Sequence, residues 1–166
     1  MAETIDHDLT EAESAVLMAA TREALAAAGA LGASLNSMQL GVGLAKRGGA
    51  AGGRFGARFT RPRSAAASVD VAGEPEAVRD RVGAAIAADG TVIEDPNAAA
   101  CEGAIWGVVA SGAMDMVPAL VRVDIAPRAG GGSRVSVRAT GREGLIKQNI
   151  AGKAVDRICA ALARVP

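Results

Sequence analysis

The sequence predicts an α+β protein of element order β-α-β4-α, in which an antiparallel sheet is covered by a long C-terminal helix and preceded by an N-terminal helical arm. Three observations predict this class. Beyond residue 67, short segments alternate apolar and polar residues, which is the period of a half-buried strand. Two segments in the same region repeat apolar residues at helical spacing. Glycine-rich turns separate several of the strand-like segments.

The first strand and helix of this region have clear local signals. Residues 67–71 alternate valine and alanine with Ser68 and Asp70, which predicts a strand. A helix is expected to start around Glu74 and Pro75, because proline at the first helical position loses no hydrogen bond and the helix dipole favours acids there. Its expected core face consists of Ala77, Val78, Val82, Ala85 and Ile86.

Four further strands are expected to form an antiparallel meander. They are residues 91–94, about 99–110, 117–125 and 135–139. Thr140 and Glu143 then have the spacing of a capping box, so the last helix is expected to begin at Thr140 and to run to about Arg164. Its broad apolar face should cover the sheet.

The chain divides by composition into a helical arm or hairpin (1–45), a Gly/Arg-rich linker (46–66) and the α+β sheet domain (67–166). Thr10 and Glu13 predict the start of a helix in the arm by the capping-box pattern. Residues 24–45 carry no charge and are long enough to cross a bilayer. Because polar residues and glycines interrupt them, a buried or interfacial hairpin is the favoured interpretation and a membrane is not an expected partner.

The net charge is zero, but its distribution is uneven. Residues 1–30 are acidic, residues 46–63 carry basic charges alone, and the remainder is close to neutral. Cys101 and Cys159 have no second cysteine or histidine at ligand spacing, and the N-terminus lacks the features of a secretory signal. We therefore expect free thiols, a cytoplasmic location and no metal site.

A basic tract in the linker alternates arginine with glycine and phenylalanine, a composition that can contact phosphates and stack on bases. Its candidate contacts to nucleic acid or to an acidic partner are Arg54, Phe55, Arg58, Phe59, Arg61 and Arg63. Nucleic-acid binding is one interpretation. The favoured one is a solvated linker whose arginines face an acidic patch of the same chain.

Trp106 is the only tryptophan, in a chain that has just two other aromatic residues. It shares a strand face with Ala104 and Val108. The favoured interpretation is a core anchor. The alternative is an apolar-ligand site between the sheet and the last helix, whose candidate residues are Trp106, Met114, Met116, Val155 and Ile158.

The order β-α-β4-α, together with a Val69-x-Val71 strand that leads into Glu74 and Pro75, resembles the TATA-binding-protein-like topology and its enlarged relatives, the helix-grip domains of the START and Bet v1 type. The resemblance is one of element order over the sheet domain. It implies a helix packed across a sheet and, in the enlarged relatives, a ligand cavity. The two-strand insertion that helps to enclose that cavity is missing after the first helix.

No catalytic motif is recognised. His7 is the only histidine and lies in the acidic N-terminal segment, and Gly130–Gly132 lie between two strands, where a phosphate loop does not form. The leading interpretation is a non-enzymatic assembly or interaction protein, without a cofactor, whose N-terminal arm serves self-association or docking to a larger assembly. The alternatives are a small apolar-ligand-binding module and nucleic-acid binding through the basic tract.

Overall fold

The computed structural model describes residues 2–5, 8–36, 60–97, 103–111, 117–143 and 148–164, with side chains outside 29–36. These ranges contain three helices and six strands. In chain order they are β1 (Glu3–Ile5), α1 (Glu11–Asn36), β2 (Arg61–Val71), α2 (Pro75–Asp89), β3 (Gly90–Ile93), β4 (Ile105–Ser111), β5 (Val117–Pro127), β6 (Ser133–Glu143) and α3 (Ile150–Ala163).

All six strands form one antiparallel sheet in the order β1-β2-β6-β5-β4-β3. The predicted meander is confirmed, because β3, β4, β5 and β6 pair in succession. The strand β2 returns to pair with β6 from Arg61 opposite Glu143 to Val71 opposite Ser133. The long register between these two strands fixes which side chains share each face of the sheet.

The main core lies between the sheet and the pair of helices α2 and α3. Val78, Val82 and Ile86 of α2 are fully buried, which confirms three of the five residues predicted for its core face. The helix α3 packs against β2 and β6. The α+β class, the covering C-terminal helix and the N-terminal helix are therefore as the sequence predicted.

The predicted start of the last helix is wrong. The strand β6 continues through Thr140 to Glu143, because both of its neighbours, β2 and β5, still pair with it at Thr140 and Gly141. The helix begins instead at Ile150, after Asn149 in a left-handed conformation with φ of 52°. Glu143 still serves the helix, since its Oε1 accepts the backbone N–H of Ile150 at 2.9 Å.

The sheet is wider and its first long strand is longer than the alternation predicts. β2 begins at Arg61, so its first half comes from the segment assigned to the linker. β1 pairs Glu3, Thr4 and Ile5 with Ala66, Ala65 and Ser64. A three-residue strand carries too short a pattern to be recognised before its partner strand is known.

The capping box of α1 is confirmed. The backbone N–H of Thr10 donates to Glu13 Oε2 at 2.9 Å, and the N–H of Glu13 donates to Thr10 Oγ1 at 3.2 Å. The helix runs from Glu11 to Asn36, while the rest of the hairpin predicted for residues 24–45 lies outside the described residues. Within the described ranges, the helices lack a stretch that is both long and apolar enough to span a membrane.

Candidate functional site

The second face of the sheet, on the side away from α2 and α3, is covered in part by α1. Strand alternation places Trp106 and Val108 of β4 beside Leu120 of β5 on this side. Leu17 of α1, Trp106 and Leu120 form a buried cluster separate from the main core, and Trp106 is 3% exposed. We call the surface formed by Trp106, Val108, Leu120, Arg122, Arg138, Thr140 and Arg142 the Trp106 face.

Arginines on the Trp106 face give it a basic character. The guanidinium of Arg122 lies 5.5 Å from the centre of the Trp106 ring, within the range of a cation–π contact. Two of its nitrogens also bind the carboxylate of Asp124, with the shortest distance at 2.8 Å. The pairing register places Arg138 opposite Arg122 on the next strand. A helix that covers this face must therefore offer acidic or polar groups as well as apolar ones.

Glu13 of α1 supplies such an acidic group. Its side chain is 3% exposed, and its Oε1 accepts the Asn97 Nδ2 donor at 3.1 Å. Asn97 Oδ1 in turn accepts the hydroxyl of Thr10 at 2.6 Å. These bonds join the first turn of α1 to the segment after β3, so the start of the helix is held by polar contacts and its middle by Leu17.

A small gap remains beneath the start of α1. It has a volume of about 10 Å³, and Glu13, Trp106, Arg122, Arg138 and Thr140 line it together with Leu9 and Leu120. Such a volume is near the minimum for one water molecule and too small for an organic ligand. The indole Nε1 of Trp106 is buried and has no hydrogen-bond partner among the described residues.

Arg142 lies on the same face of the sheet, nearer to its other end. It is 9% exposed and donates to Thr60 through Nε to the hydroxyl at 3.0 Å and through Nη2 to the carbonyl at 2.6 Å. Burial, followed by the nearby charge of Arg22 on α1, lowers the pKa of Arg142. The helix thus follows the sheet from Trp106 toward Arg142.

A larger, open cleft of about 290 Å³ lies at one end of β2. Asp70, Val71, Ala72, Gly73, Arg128, Gly131 and Gly132 line it. Asp70 binds Arg134 Nε at 2.9 Å and Arg128 Nη1 at 3.4 Å. The hydrogen bond from Arg134 is the main cause that lowers the pKa of Asp70, and the charge of Arg128 adds to it. The acid of this cleft is therefore already neutralised by two cations of its own chain.

The structure divides the residues predicted for an apolar-ligand site between two faces. Trp106 is buried, as expected of a core anchor, but beneath α1. Val155 and Ile158 lie in the main core on the opposite side of the sheet, so the structure does not bring them together with Trp106. Met114 and Met116 lie outside the described residues.

Of the basic tract, Arg61 and Arg63 are exposed at the start of β2, whereas Arg54, Phe55, Arg58 and Phe59 lie outside the described residues. Leu120 was not identified from the sequence as part of the Trp106 face, nor were Glu13 and Leu17 of α1 identified as the residues that cover it. One signal was present, because Leu120 is a large apolar residue at a strand position whose neighbours on the same face, Arg122 and Asp124, are charged. No group of three or more His, Cys, Asp or Glu residues within the described part of the chain could hold a metal ion.

Comparisons with protein-family models, with curated proteins and with solved structures find no match to this chain.

Proposed function

We propose that this protein is a non-enzymatic interaction protein that self-associates by exchange of its N-terminal arm (1–45), through the helix α1 of that arm. The observation that carries the proposal is the packing of α1 on the Trp106 face, where Leu17 contacts Trp106 and Leu120. In the exchanged form, α1 of one copy occupies the same seat on a second copy. Every contact is then kept, and only the chain that supplies the helix changes.

The arm is suited to exchange because its apolar attachment is small. Among the described residues, the main core has nineteen buried members, whereas the cluster under α1 has three. Burial of one large apolar side chain contributes roughly 1.5–3 kcal/mol. Release of α1 is therefore expected to cost much less than unfolding of the sheet with α2 and α3, so local opening of the arm precedes global unfolding.

The connection between arm and sheet is long enough to reach a second copy. Residues 37–60 separate the end of α1 from the start of β2. At about 3.3 Å per residue this length spans up to roughly 80 Å, more than twice the length of an eleven-residue strand. Gly48, Gly49, Gly52 and Gly53 in this connection disfavour both helix and strand by composition.

Charge complementarity supports α1 as the occupant of the Trp106 face. The arm is the acidic part of the chain, and its first helical turn covers a part of the face that carries Arg122 and Arg138. The buried Glu13 contributes a carboxylate to a gap that Arg122 and Arg138 also line. The acidic start of α1 is therefore matched to this face in charge, and the same match is available to α1 of a second copy.

For the architecture, we propose a reduced relative of the helix-grip topology. The order β2-α2-β3-β4-β5-β6-α3 supports this, and α3 packs on β2 and β6. A resemblance in element order carries no argument about ligands. The close approach of Ile150 to Gly141 and of Ile86 to Gly107 indicates helices that lie directly on the strands.

The experiment compares the full chain with two matched variants, each refolded at low and at high protein concentration. Leu17→Asp places a charge in the buried cluster, whereas Ala19→Asp places the same charge at an exposed position of the same helix. After refolding at high concentration, light scattering should find a larger dimer fraction for the parent and for Ala19→Asp than for Leu17→Asp, whose Trp106 emission should be red-shifted because α1 leaves the Trp106 face. A parent that stays monomeric, or equal dimer fractions in the two variants, would contradict the proposal.

A further inference from the structure

A second interaction surface lies at the edge of the sheet, on β2. This strand pairs with β6 along its whole length, but on its outer side β1 pairs with Ser64, Ala65 and Ala66 alone. Within the described residues, no strand lies beside residues 67–71. An antiparallel strand directs alternate backbone N–H and C=O groups to each side, so this segment presents unpaired groups at the edge.

The position of Ala2 explains why β1 leaves this edge open. Continuing the register of Glu3 opposite Ala66 would place Ala2 opposite Ala67. Instead, the backbone N–H of Ala2 donates to Asp156 Oδ1 of α3 at 2.9 Å, and Ala2 packs against the main core. The amide of Ala2 is therefore committed to α3, and among the residues that the structure describes no strand pairs with the outer side of β2 beyond Ala66.

The open segment lacks the features that usually protect an edge strand. Its sequence, Ala-Ser-Val-Asp-Val, contains no proline and no lysine, and its two valines are of the type enriched in strands. Its one charge, on Asp70, is held by Arg134 at 2.9 Å and Arg128 at 3.4 Å. Asp70 therefore brings little unpaired negative charge to repel an incoming strand.

The segment is also complementary to itself. A two-fold axis at Val69 would place Ala67 of one copy opposite Val71 of the other, and Ser68 opposite Asp70. Apolar residues then meet on the face toward α3, where Val71 is buried and Val69 half-buried. On the other face of the sheet, the hydroxyl of Ser68 in one copy lies opposite the carboxylate of Asp70 in the other. The same residue pairs occur on both sides of Val69, as a symmetric interface requires.

We infer that residues 67–71 form a homodimer interface, in which β2 of one copy pairs antiparallel with β2 of a second copy and the two sheets become continuous. The occupant is a second copy of this chain. This contact lies at the sheet edge, whereas the exchanged arm lies on the Trp106 face, so the inference does not rest on the proposed function. If both contacts form, dimers joined by exchange of the arm would be linked to one another through their β2 edges.

The test uses hydrogen exchange on the full chain at a series of protein concentrations. Backbone amides in residues 67–71 that point outward should exchange fast in dilute solution and slow down as the dimer forms. If the chain associates through the arm alone, these amides continue to exchange fast. The experiment can therefore contradict the edge interface without contradicting the exchange of the arm. Exchange that stays the same at every concentration would overturn the edge interface.

Two substitutions of opposite charge at the exposed Ser68 provide a matched pair of variants. Ser68→Lys places a cation beside the group in which Arg128 and Arg134 outnumber Asp70 of the second copy, at both ends of the pair, and should weaken the dimer about tenfold. Ser68→Asp places a carboxylate there and should keep the parent affinity or improve it. Far-ultraviolet circular dichroism and Trp106 emission confirm that both variants fold. Equal affinities for the two variants would overturn the two-fold register.

A strand of a different protein is the other possible occupant of the β2 edge, and the experiment must distinguish it from a second copy of this chain. The control is an extended peptide of valine–threonine repeats, added to the dilute chain. Protection of residues 67–71 by this peptide, without any protection when the chain itself is concentrated, would assign the edge to a foreign strand and overturn the assignment to a second copy.

Discussion

Gly141 of β6 lies directly against Ile150, the first residue of α3. A β-carbon at position 141 would lie 2.5 Å from Ile150 Cγ2 and 2.9 Å from Ile150 Cβ. Both distances are well below van der Waals contact, so glycine is what allows the start of α3 to settle on the sheet. This contact fixes the entry of the covering helix at the point where Glu143 also accepts the Ile150 N–H.

Gly141→Ala should therefore destabilise the protein by about 1 to 3 kcal/mol, because either Ile150 or the strand must move. Gly83→Ala is the matched control. Gly83 lies inside α2, a β-carbon there meets none of the described atoms within 4 Å, and alanine favours a helix interior. The control should be stabilised by up to about 1 kcal/mol. Urea unfolding followed by circular dichroism measures both; equal effects of the two substitutions would contradict the packing of α3.

Removal of the Thr10 hydroxyl should loosen α1. Thr10→Ala removes the acceptor for the Glu13 N–H and the donor to Asn97 Oδ1. Loss of an N-cap typically lowers the stability by about 1 kcal/mol. Because Thr10→Ala also removes the bond to Asn97, the loss of stability should exceed that value. Ser14→Ala, on the next turn, should change the stability by less than about 0.5 kcal/mol. Trp106 emission reports the release of α1, and identical unfolding curves for the two variants would count against the polar anchor.

Stability at low pH should depend on Asp70. The hydrogen bond from Arg134 lowers the pKa of Asp70 below its ordinary value of 3.8 in the folded protein. The carboxylate therefore contributes stability that is present above the unfolded pKa and is lost as the pH falls from there through the folded pKa. Asp70→Asn should lose part of the acid dependence below about pH 4, whereas Asp80→Asn, at an exposed position of α2, should retain it. Thermal unfolding at several pH values tests this, and parallel profiles for the two variants would show that the ion pair has no net effect.

Cys159 should react slowly with thiol reagents. Burial, aided by the nearby carboxylate of Asp156, raises the pKa of this thiol above its ordinary value of 9.0. Because the thiolate is the reactive form, alkylation at pH 8 should be slower than for a free cysteine. In a Cys101→Ser background, urea should restore the ordinary rate, and Asp156→Asn should raise the rate modestly in the folded protein. A folded rate equal to the rate in urea would show that Cys159 is not shielded.

The fold was largely predictable because its signals are local. Val78, Val82 and Ile86 mark α2 by their spacing alone, and alternation marks the strands of the meander. The end of β6 was not predictable in this way. Thr140 and Glu143 satisfy a local capping pattern, but pairing with β2 and β5 on both sides outweighs it.

The Trp106 face was less predictable than the fold. The burial of Trp106 follows from its rarity and its apolar neighbours, but the element that covers it does not. Leu17 lies off the apolar stripe that helix spacing indicates, and nothing in the local sequence shows that its partner is Leu120. Such a match depends on the register of distant strands, and so does the pairing of Glu3 with Ala66.

The exchange of the arm is tested most directly by a photocrosslinker at position 16, a half-buried position of α1 that packs against the Trp106 cluster. A mixture of ¹⁴N-labelled and ¹⁵N-labelled chains is unfolded together, refolded at high concentration and irradiated. Mass spectrometry then identifies the crosslinked peptides of α1 and the sheet. Exchange predicts pairs of mixed isotope at a frequency approaching random pairing of copies. Pairs of a single isotope throughout would show that each helix covers its own sheet, and would contradict self-association through the arm.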